Sequence, residues 1–289
     1  MMGESAGASR PWILLSPALG AIAFLLVVPV FFIVVYSFWL RSAAGGEIPG
    51  FYLDNWQEVL SDRFYRDILL STLRIAAITT ALCAILGYVP AYFIATSHTR
   101  HKTLLLLLLI LPFWISYIIR TMSWINILGV SGALNQVMMA AGIVNEPVQM
   151  LYNEATVILG LVHFLLPFMV LNVYVSLDAI DPNLADASRS LGANGMQTFR
   201  EVTLPLSLPG LAAGGLLCFV LAAGTYITPL VLGGPRDAMF ANLVFEAIIT
   251  QLNWPLGSAL SIVLLIILGG IVAIYNRLIG IGQIAKSFG

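Results

Sequence analysis

Asp181-Pro182-Asn183-Leu184-Ala185-Asp186-Ala187-Ser188-Arg189-Ser190-Leu191-Gly192, continued by Ala193-Asn194-Gly195-Met196-Gln197-Thr198-Phe199-Arg200-Glu201-Val202-Thr203-Leu204-Pro205, is a polar stretch set between two long apolar runs. Asp181 is suited to cap a helix, and Pro182 to the first helical position, where no N–H is needed. Leu184, Ala187, Ser188 and Leu191 then fall on one helical face. Gly192 can take the left-handed conformation that ends a helix. Asn194 followed by Gln197 has the pattern of a capping box, opening a second helix with Met196, Phe199 and Val202 on one side. Local chemistry thus predicts a short helix, a glycine turn and a second short helix lying at a membrane surface. Such an element is built to be held by another molecule.

The surrounding chain is what places it at a membrane. Of 289 residues, 60% are hydrophobic and only 9% charged, with 13 basic and 14 acidic side chains. A soluble domain carries about 25% charged residues, and the mean hydropathy here is +0.95. These values exclude a soluble enzyme, and a net charge of −1 offers no basic field to hold nucleic acid. A helix needs about 20 apolar residues to cross the hydrocarbon core. The charge-free runs are Pro11–Leu40, Ile75–Ser97, Thr103–Ile119, Ala155–Leu177, Val202–Pro235 and Ala247–Asn276, and His163 is the one histidine or charged residue inside them.

Closed helical hydrogen bonding is the cheap way to carry this backbone through lipid, so the runs predict an all-α bundle of six spans. The spans are placed at about 12–40, 68–97, 103–128, 154–178, 206–232 and 247–278, in a single domain over 1–289, with the surface segment at 181–202. Arg10 before Pro11–Leu40 resembles a secretory signal, but the run has 30 residues, against about 7–15 for a signal core. It is read as the first span. Thr121–Asn145 is also uncharged, but Gly129, Ser131, Gly132, Asn135, Gln136 and Gly142 interrupt it. It reads as the end of the third span and a short outer-face helix, with a seventh full span as the alternative.

Positive charge sets orientation. With both termini cytoplasmic, Arg10, Arg100, Lys102, Arg189, Arg200, Arg277 and Lys286 lie inside, while Arg41, Arg63, Arg66 and Arg236 lie outside. The connection His98–Lys102 is the strongest part of that asymmetry. Arg41–Asp67 carries Glu47, Asp54, Glu58, Asp62 and Asp67, and reads as a water-exposed amphipathic piece. Cys83 and Cys218 sit inside apolar runs and read as small buried hydrophobes. His98 and His101 flank Arg100 as loop punctuation. No His, Cys or carboxylate cluster has metal-ligand spacing. The two lysines, Lys102 and Lys286, follow no GxxxxG run, so the chain itself should not hydrolyse ATP.

The segment resembles the cytoplasmic signature of ABC-transporter permeases: EAA, three residues, Gly, nine residues, an aliphatic residue, any residue, Leu and Pro. Asp186-Ala187-Ser188 stands for EAA, Gly192 falls at the right spacing, and Val202, Leu204 and Pro205 close the pattern. Further stretches look like spermidine/putrescine-type permeases. They are Leu73-Arg74-Ile75-Ala76 through Gly87-Tyr88-Val89-Pro90-Ala91-Tyr92, Leu111-Pro112-Phe113-Trp114-Ile115-Ser116-Tyr117 with Arg120, and Leu165-Leu166-Pro167-Phe168-Met169. Leu232-Gly233-Gly234-Pro235 and Trp254-Pro255-Leu256-Gly257-Ser258-Ala259 match as well.

The resemblance implies a type I importer permease of the bacterial inner membrane whose coupling helix docks on a separate ATPase dimer. That partner would bind ATP and Mg, leaving no cofactor in this chain. It implies a second permease subunit, expected to be a different chain, and an extracytoplasmic solute-binding protein. Asp186, Ala187, Ser188, Gly192, Val202, Leu204 and Pro205 would couple to the ATPase, with Asp186 as a polar contact or cap.

Trp114, Tyr117 and Arg120 near the outer end of the third span, with Thr225 and Tyr226 beside Gly224, are candidate path residues. The competing roles are an interfacial belt for the first group and plain helix packing for the second. Relatives often carry acids where this chain has Thr225 and Asn253. A polycation needs carboxylates or aromatic faces to offset desolvation, so an amino-acid or opine-type cargo competes with a polyamine. The rival class is an ATP-independent carrier or channel, in which the capped cytoplasmic segment would have no purpose.

Overall fold

The computed structural model describes residues 10–42, 45–97 and 100–287. His98 and the side chains of Arg10 and Lys286 lie outside the described residues. The chain divides into two compact units, one made of residues up to Asp62 with Val244–Ile266 and the other of Arg63–Leu243 with residues from Ile267 onward.

The first unit opens with α1 (Arg10–Tyr36), roughly 40 Å long at the helical rise, with Pro17 and Pro29 in its interior. Leu25, Phe24 and Phe31 on this helix are exposed, a surface that lipid solvates. A two-strand ladder, β1 (Leu40–Arg41) against β2 (Glu47–Ile48), leads to α2 (Asp54–Ser61). The Asn55 amide donates to the carbonyls of Ser37 at 3.3 Å and Trp39 at 2.8 Å, and Phe38 stacks on Phe51 at 4.6 Å. α2 is therefore tied to the end of α1, burying Asn55 and Val59 while Leu60 stays exposed. This is the amphipathic piece expected between the first two spans.

The second unit runs through α3 (Arg63–Thr96), α4 (Lys102–Ile110), a 3₁₀ turn (Leu111–Trp114), α5 (Tyr117–Leu128), α6 (Ala133–Ala140) and α7 (Glu154–Asp178). It continues with α8 (Pro182–Ser190), α9 (Gly195–Thr198), a π turn (Phe199–Thr203), α10 (Leu204–Ala223) and α11 (Ile227–Leu232). α12 (Phe240–Phe245), a second π turn (Glu246–Thr250) and α13 (Trp254–Ser287) complete the described chain.

Its core lies among α3, α7 and α10, where Ile75, Cys83, Leu161, Leu165, Met169, Val173, Cys218 and Ala222 are buried. Lipid tails are as apolar as leucine, so helices associate in a membrane through close packing rather than apolar burial. α10 supplies that closeness with a buried small residue every fourth position, Gly210, Gly214, Cys218 and Ala222. A Cβ at Gly210 would lie 2.3 Å from the Cβ of Ser176 and 2.5 Å from the carbonyl oxygen of Asn172. Both cysteines are free and buried, their thiols turned to the carbonyls of Val162 and Leu165 on α7.

The two ends of the unit are pinned by charge. At one, Lys102 donates to the carbonyl of Ala95 at 2.7 Å and lies 3.8 Å from Asp178. At the other, Arg74 pairs with Glu154 beside the capping box formed by Asn153 and Thr156. The residues flanking the connection from α3 to α4 and the end of α7 therefore share one end of the bundle.

Among the described residues, five helices are long and apolar enough to cross a membrane, and a sixth crossing forms when a broken pair is taken as one. That pair is the third run, which was expected to be one helix over 103–128. It bends by 88° between Trp114 and Tyr117. Pro112 has no N–H to continue the ladder, and Ile115 at φ −86°, ψ 134° is extended. The fifth run likewise departs from one helix over 206–232: it breaks after Ala223, and α11 resumes at Ile227. α6 has eight residues, roughly 12 Å at the helical rise, too short to cross.

Candidate functional site

The polar segment from Asp181 to Val202 is held in shape by its own polar groups. The Asp181 carboxylate accepts the N–H of Asn183 at 2.9 Å, and Pro182 follows as the first residue of α8. Asp181, not Asp186, is therefore the cap. Asp186 sits on the exposed side of α8, 3.4 Å from Arg189, its backbone carbonyl accepting from the Ser190 hydroxyl at 2.9 Å. Gly192 has φ +92°, and the N–H groups of Gly192 and Ala193 close the helix end on the carbonyls of Arg189 and Ser188. A Cβ at Gly192 would meet nothing within 4 Å, so the demand for glycine here is conformational rather than steric.

Asn194 and Gln197 form the reciprocal capping box that opens α9, with both bonds within 2.9 Å. Across the turn, the hydroxyls of Ser188 and Thr198 meet at 3.2 Å, and Thr198 is buried. Pro205 gives no N–H to the ladder, and the turn before it widens so that Leu204 N–H reaches the Phe199 carbonyl. That one wide turn joins the segment to α10.

The apolar face of α8 does not pack into the bundle. α8 buries no residue, and Leu191 is 90% exposed, with Met196 at 65%. Leu184, Ala187, Ser188, Leu191, Gln197, Glu201 and Val202 line an open cleft of about 550 Å³. The lining mixes apolar side chains with the polar Ser188, Gln197 and Glu201. Ala187, Ser188 and Val202 thus lie together on this face, whereas Leu204 and Pro205 belong to the root of α10.

The second cluster lies where the two broken helices meet. Tyr117, the first residue of α5, places its hydroxyl 3.1 Å from that of Thr225 and in a short hydrogen bond with Thr228. Arg120, one turn on, is 92% buried (8% exposed); it folds back to donate to the Ile115 carbonyl at 3.0 Å. This satisfies a carbonyl that the extended break would otherwise leave unpaired in an apolar setting. Its guanidinium lies over the rings of Phe113 at 5.3 Å and Phe164 at 5.9 Å. No carboxylate among the described residues lies within ion-pair distance of it, and its Nε has no hydrogen-bond partner. Tyr117 also packs on Phe164 at 4.4 Å, and the Trp124 indole donates to Nδ1 of His163 at 3.3 Å.

The structure therefore joins Tyr117, Arg120 and Thr225 but separates Trp114, which is 85% exposed, from them. Tyr226 stands beside the break, its carbonyl accepting from the Asn242 amide at 2.9 Å. Thr228, Phe113 and Phe164 escape a reading by sequence alone, because their roles depend on a bend that brings α5 against α11. Among the described residues no three His, Cys, Asp or Glu side chains converge as metal ligands would.

The family model described as "Binding-protein-dependent transport system inner membrane component" matches residues 1–281. The chain is 36% identical over 258 residues to the spermidine/putrescine transport system permease protein PotB of Salmonella typhimurium (strain LT2), covering 89% of this chain and 90% of that protein. It is 35% identical over 258 residues to PotB of Escherichia coli (strain K12), covering 89% and 94%. Its fold is similar to that of a bacterial alginate ABC transporter crystallised with an alginate pentasaccharide-bound periplasmic protein. The TM-score is 0.74 at 17% identity, over 93% of this chain and 94% of that one.

Proposed function

The chain belongs to the family of binding-protein-dependent transport system inner membrane components, and from that premise we propose how it is energised and what it carries. It is a permease subunit of an ABC importer with the type I importer fold. In our reading a separate ATPase dimer seats the cleft side of α8, with Leu184 and Leu191 as the apolar anchors. ATP binding closes that dimer and pulls the coupling segment. The bundle of α3, α7 and α10 then opens outward to receive solute from an extracytoplasmic binding protein, and hydrolysis resets it. A second, different permease chain completes the path, and both termini of this one face the cytoplasm. The observation that carries this reading is a segment whose helix ends are closed by its own caps while Leu184, Leu191 and Met196 remain exposed.

For cargo we favour a polyamine-class solute, on the strength of a third of residues shared with spermidine/putrescine permeases along nearly the whole chain. The buried Arg120, together with the neutral Thr225 and Asn253, favours a second reading, a zwitterionic amino-acid-type solute. An unneutralised guanidinium beside the path repels a polycation and attracts a carboxylate. Path lining is assigned to Tyr117, Arg120, Thr225 and Tyr226. The test is uptake by proteoliposomes holding the full complex, with labelled spermidine, putrescine and an amino acid offered with the binding protein. ATP-dependent accumulation of the polyamines alone upholds the first reading. Accumulation of the amino acid alone selects the second, and uptake driven by an ion gradient without ATP overturns both.

A further inference from the structure

One aromatic side chain joins the coupling segment to the bundle. Phe199 starts the π turn directly after α9, and its ring meets Tyr88 at 5.8 Å and Tyr92 at 5.7 Å, with interplanar angles of 87° and 88°. Tyr88 and Tyr92 are one turn apart on α3 and hold their rings within 15° of parallel at 6.4 Å. Phe199 thus stands perpendicular to a pair of parallel rings, an edge-to-face geometry favoured by the aromatic quadrupole.

The pair is itself fixed from behind. The Tyr88 hydroxyl lies 2.8 Å from that of Ser207, which is fully buried on α10 and donates to the Leu204 carbonyl at 2.9 Å. With the Ser207 proton so directed, Tyr88 is the donor to Ser207. On the other side Phe199 follows Thr198, whose hydroxyl is bonded to Ser188 of α8. The contacts run from α8 through Ser188, Thr198 and Phe199 to Tyr88 and Tyr92 of α3. α8 itself buries nothing, so a pull on it reaches α3 through this wedge as well as along the chain into α10.

We propose that Phe199 is a positioning residue that transmits displacement of the coupling segment to α3, so that α3 and α10 move together when the ATPase dimer closes. This rests on the permease reading above. A π turn suits the task, because its extra residue loosens the ladder locally and lets the following helix tilt without unwinding. Without the ring, α8 still docks and α10 is still pulled, but α3 follows only through its packing on α10 and the Tyr88–Ser207 hydrogen bond.

The test uses the complete complex of permeases, ATPase and binding protein in proteoliposomes, with the wild type measured first. Absence of ATP-driven uptake in the wild type sinks the permease reading itself. In an active complex, Phe199→Ala should leave the ATPase bound and lower solute taken up per ATP by about tenfold, the size expected from losing two aromatic pairs. Phe199→Tyr should restore most of it. Tyr92→Leu, away from the docking face, should give a smaller defect of the same kind, because the ring of Phe199 keeps its contact with Tyr88, and the double variant should be no worse than Phe199→Ala alone. Unchanged uptake per ATP in Phe199→Ala overturns the proposal. So does release of the ATPase by Phe199→Ala, which would place the ring in docking, and so does additivity of the two substitutions.

Discussion

At the residue scale, Gly192 shows how a small local demand becomes a functional one. Its φ of +92° is open to glycine and nearly closed to a β-branched residue. Because nothing stands near its missing side chain, a substitution there alters the turn and not the packing. Gly192→Val should therefore cost about 1–2 kcal/mol locally and reorient α8 against α9. Stimulation of ATP turnover by loaded binding protein should disappear while the subunit remains inserted, and Gly192→Asn, which tolerates the left-handed region, should keep most of it. A coupled ATPase assay in proteoliposomes checks both, and normal stimulation in the valine variant would contradict the assigned turn. This turn, the Asp181 cap and the Asn194/Gln197 box were all legible in the sequence, because each is closed by residues within five positions of one another. The meeting of Tyr117 with Thr225 and Thr228 was not, since its partners lie more than 100 positions apart.

At the element scale, the close approach of α7 and α10 depends on which glycines face inward. Gly210 and Gly215 both lie on α10, and their sequence surroundings do not tell them apart. A Cβ at Gly210 would strike Ser176 and the backbone of Asn172, whereas at Gly215 it would make an ordinary contact of 3.7 Å with Thr80. Gly210→Ala should push the helices apart at a cost of about 1–3 kcal/mol and lower the thermal unfolding midpoint in detergent. Gly215→Ala should be neutral or stabilising by up to about 1 kcal/mol, through the better helix propensity of alanine. Equal midpoints for the two variants would refute the packing assigned to α10. Element existence was readable from apolar length, but element straightness was not. Pro112 is plain in the sequence, yet a proline can kink a helix or end it, and the 88° bend follows from the extended Ile115 and the Arg120 side chain that satisfies its carbonyl.

At the scale of the whole molecule, the exposed apolar side chains at the end of α8 and on α9 mark where the proposed partner would sit. Leu191 and Met196 are exposed, and in the proposed reading they face an ATPase supplied by another subunit. Purification of tagged protein in mild detergent should therefore bring down a P-loop ATPase and a second permease in fixed proportion, read by mass spectrometry. The Leu191→Glu variant, which places a charge on the docking knob, should release the ATPase and keep the second permease. Recovery of the wild-type chain alone, still active in transport without ATP, would transfer the function to the carrier class.

Composition, run length and the spacing from Asp186 to Pro205 by themselves determined a mostly helical membrane permease with a capped polar segment between two of its long apolar runs. Those properties are one-dimensional: hydrocarbon thickness converts directly to residue count, and caps and turns close within a few residues. Only the tertiary structure decided where the third and fifth apolar runs break, that Arg120 is buried against Phe113 and Phe164 while Trp114 points away, and that Phe199 stands between the coupling segment and α3. A run of apolar residues permits a straight helix and a broken one alike. Which is adopted depends on whether another helix can satisfy the backbone and fill the space at the break, and those partners are distant in the chain.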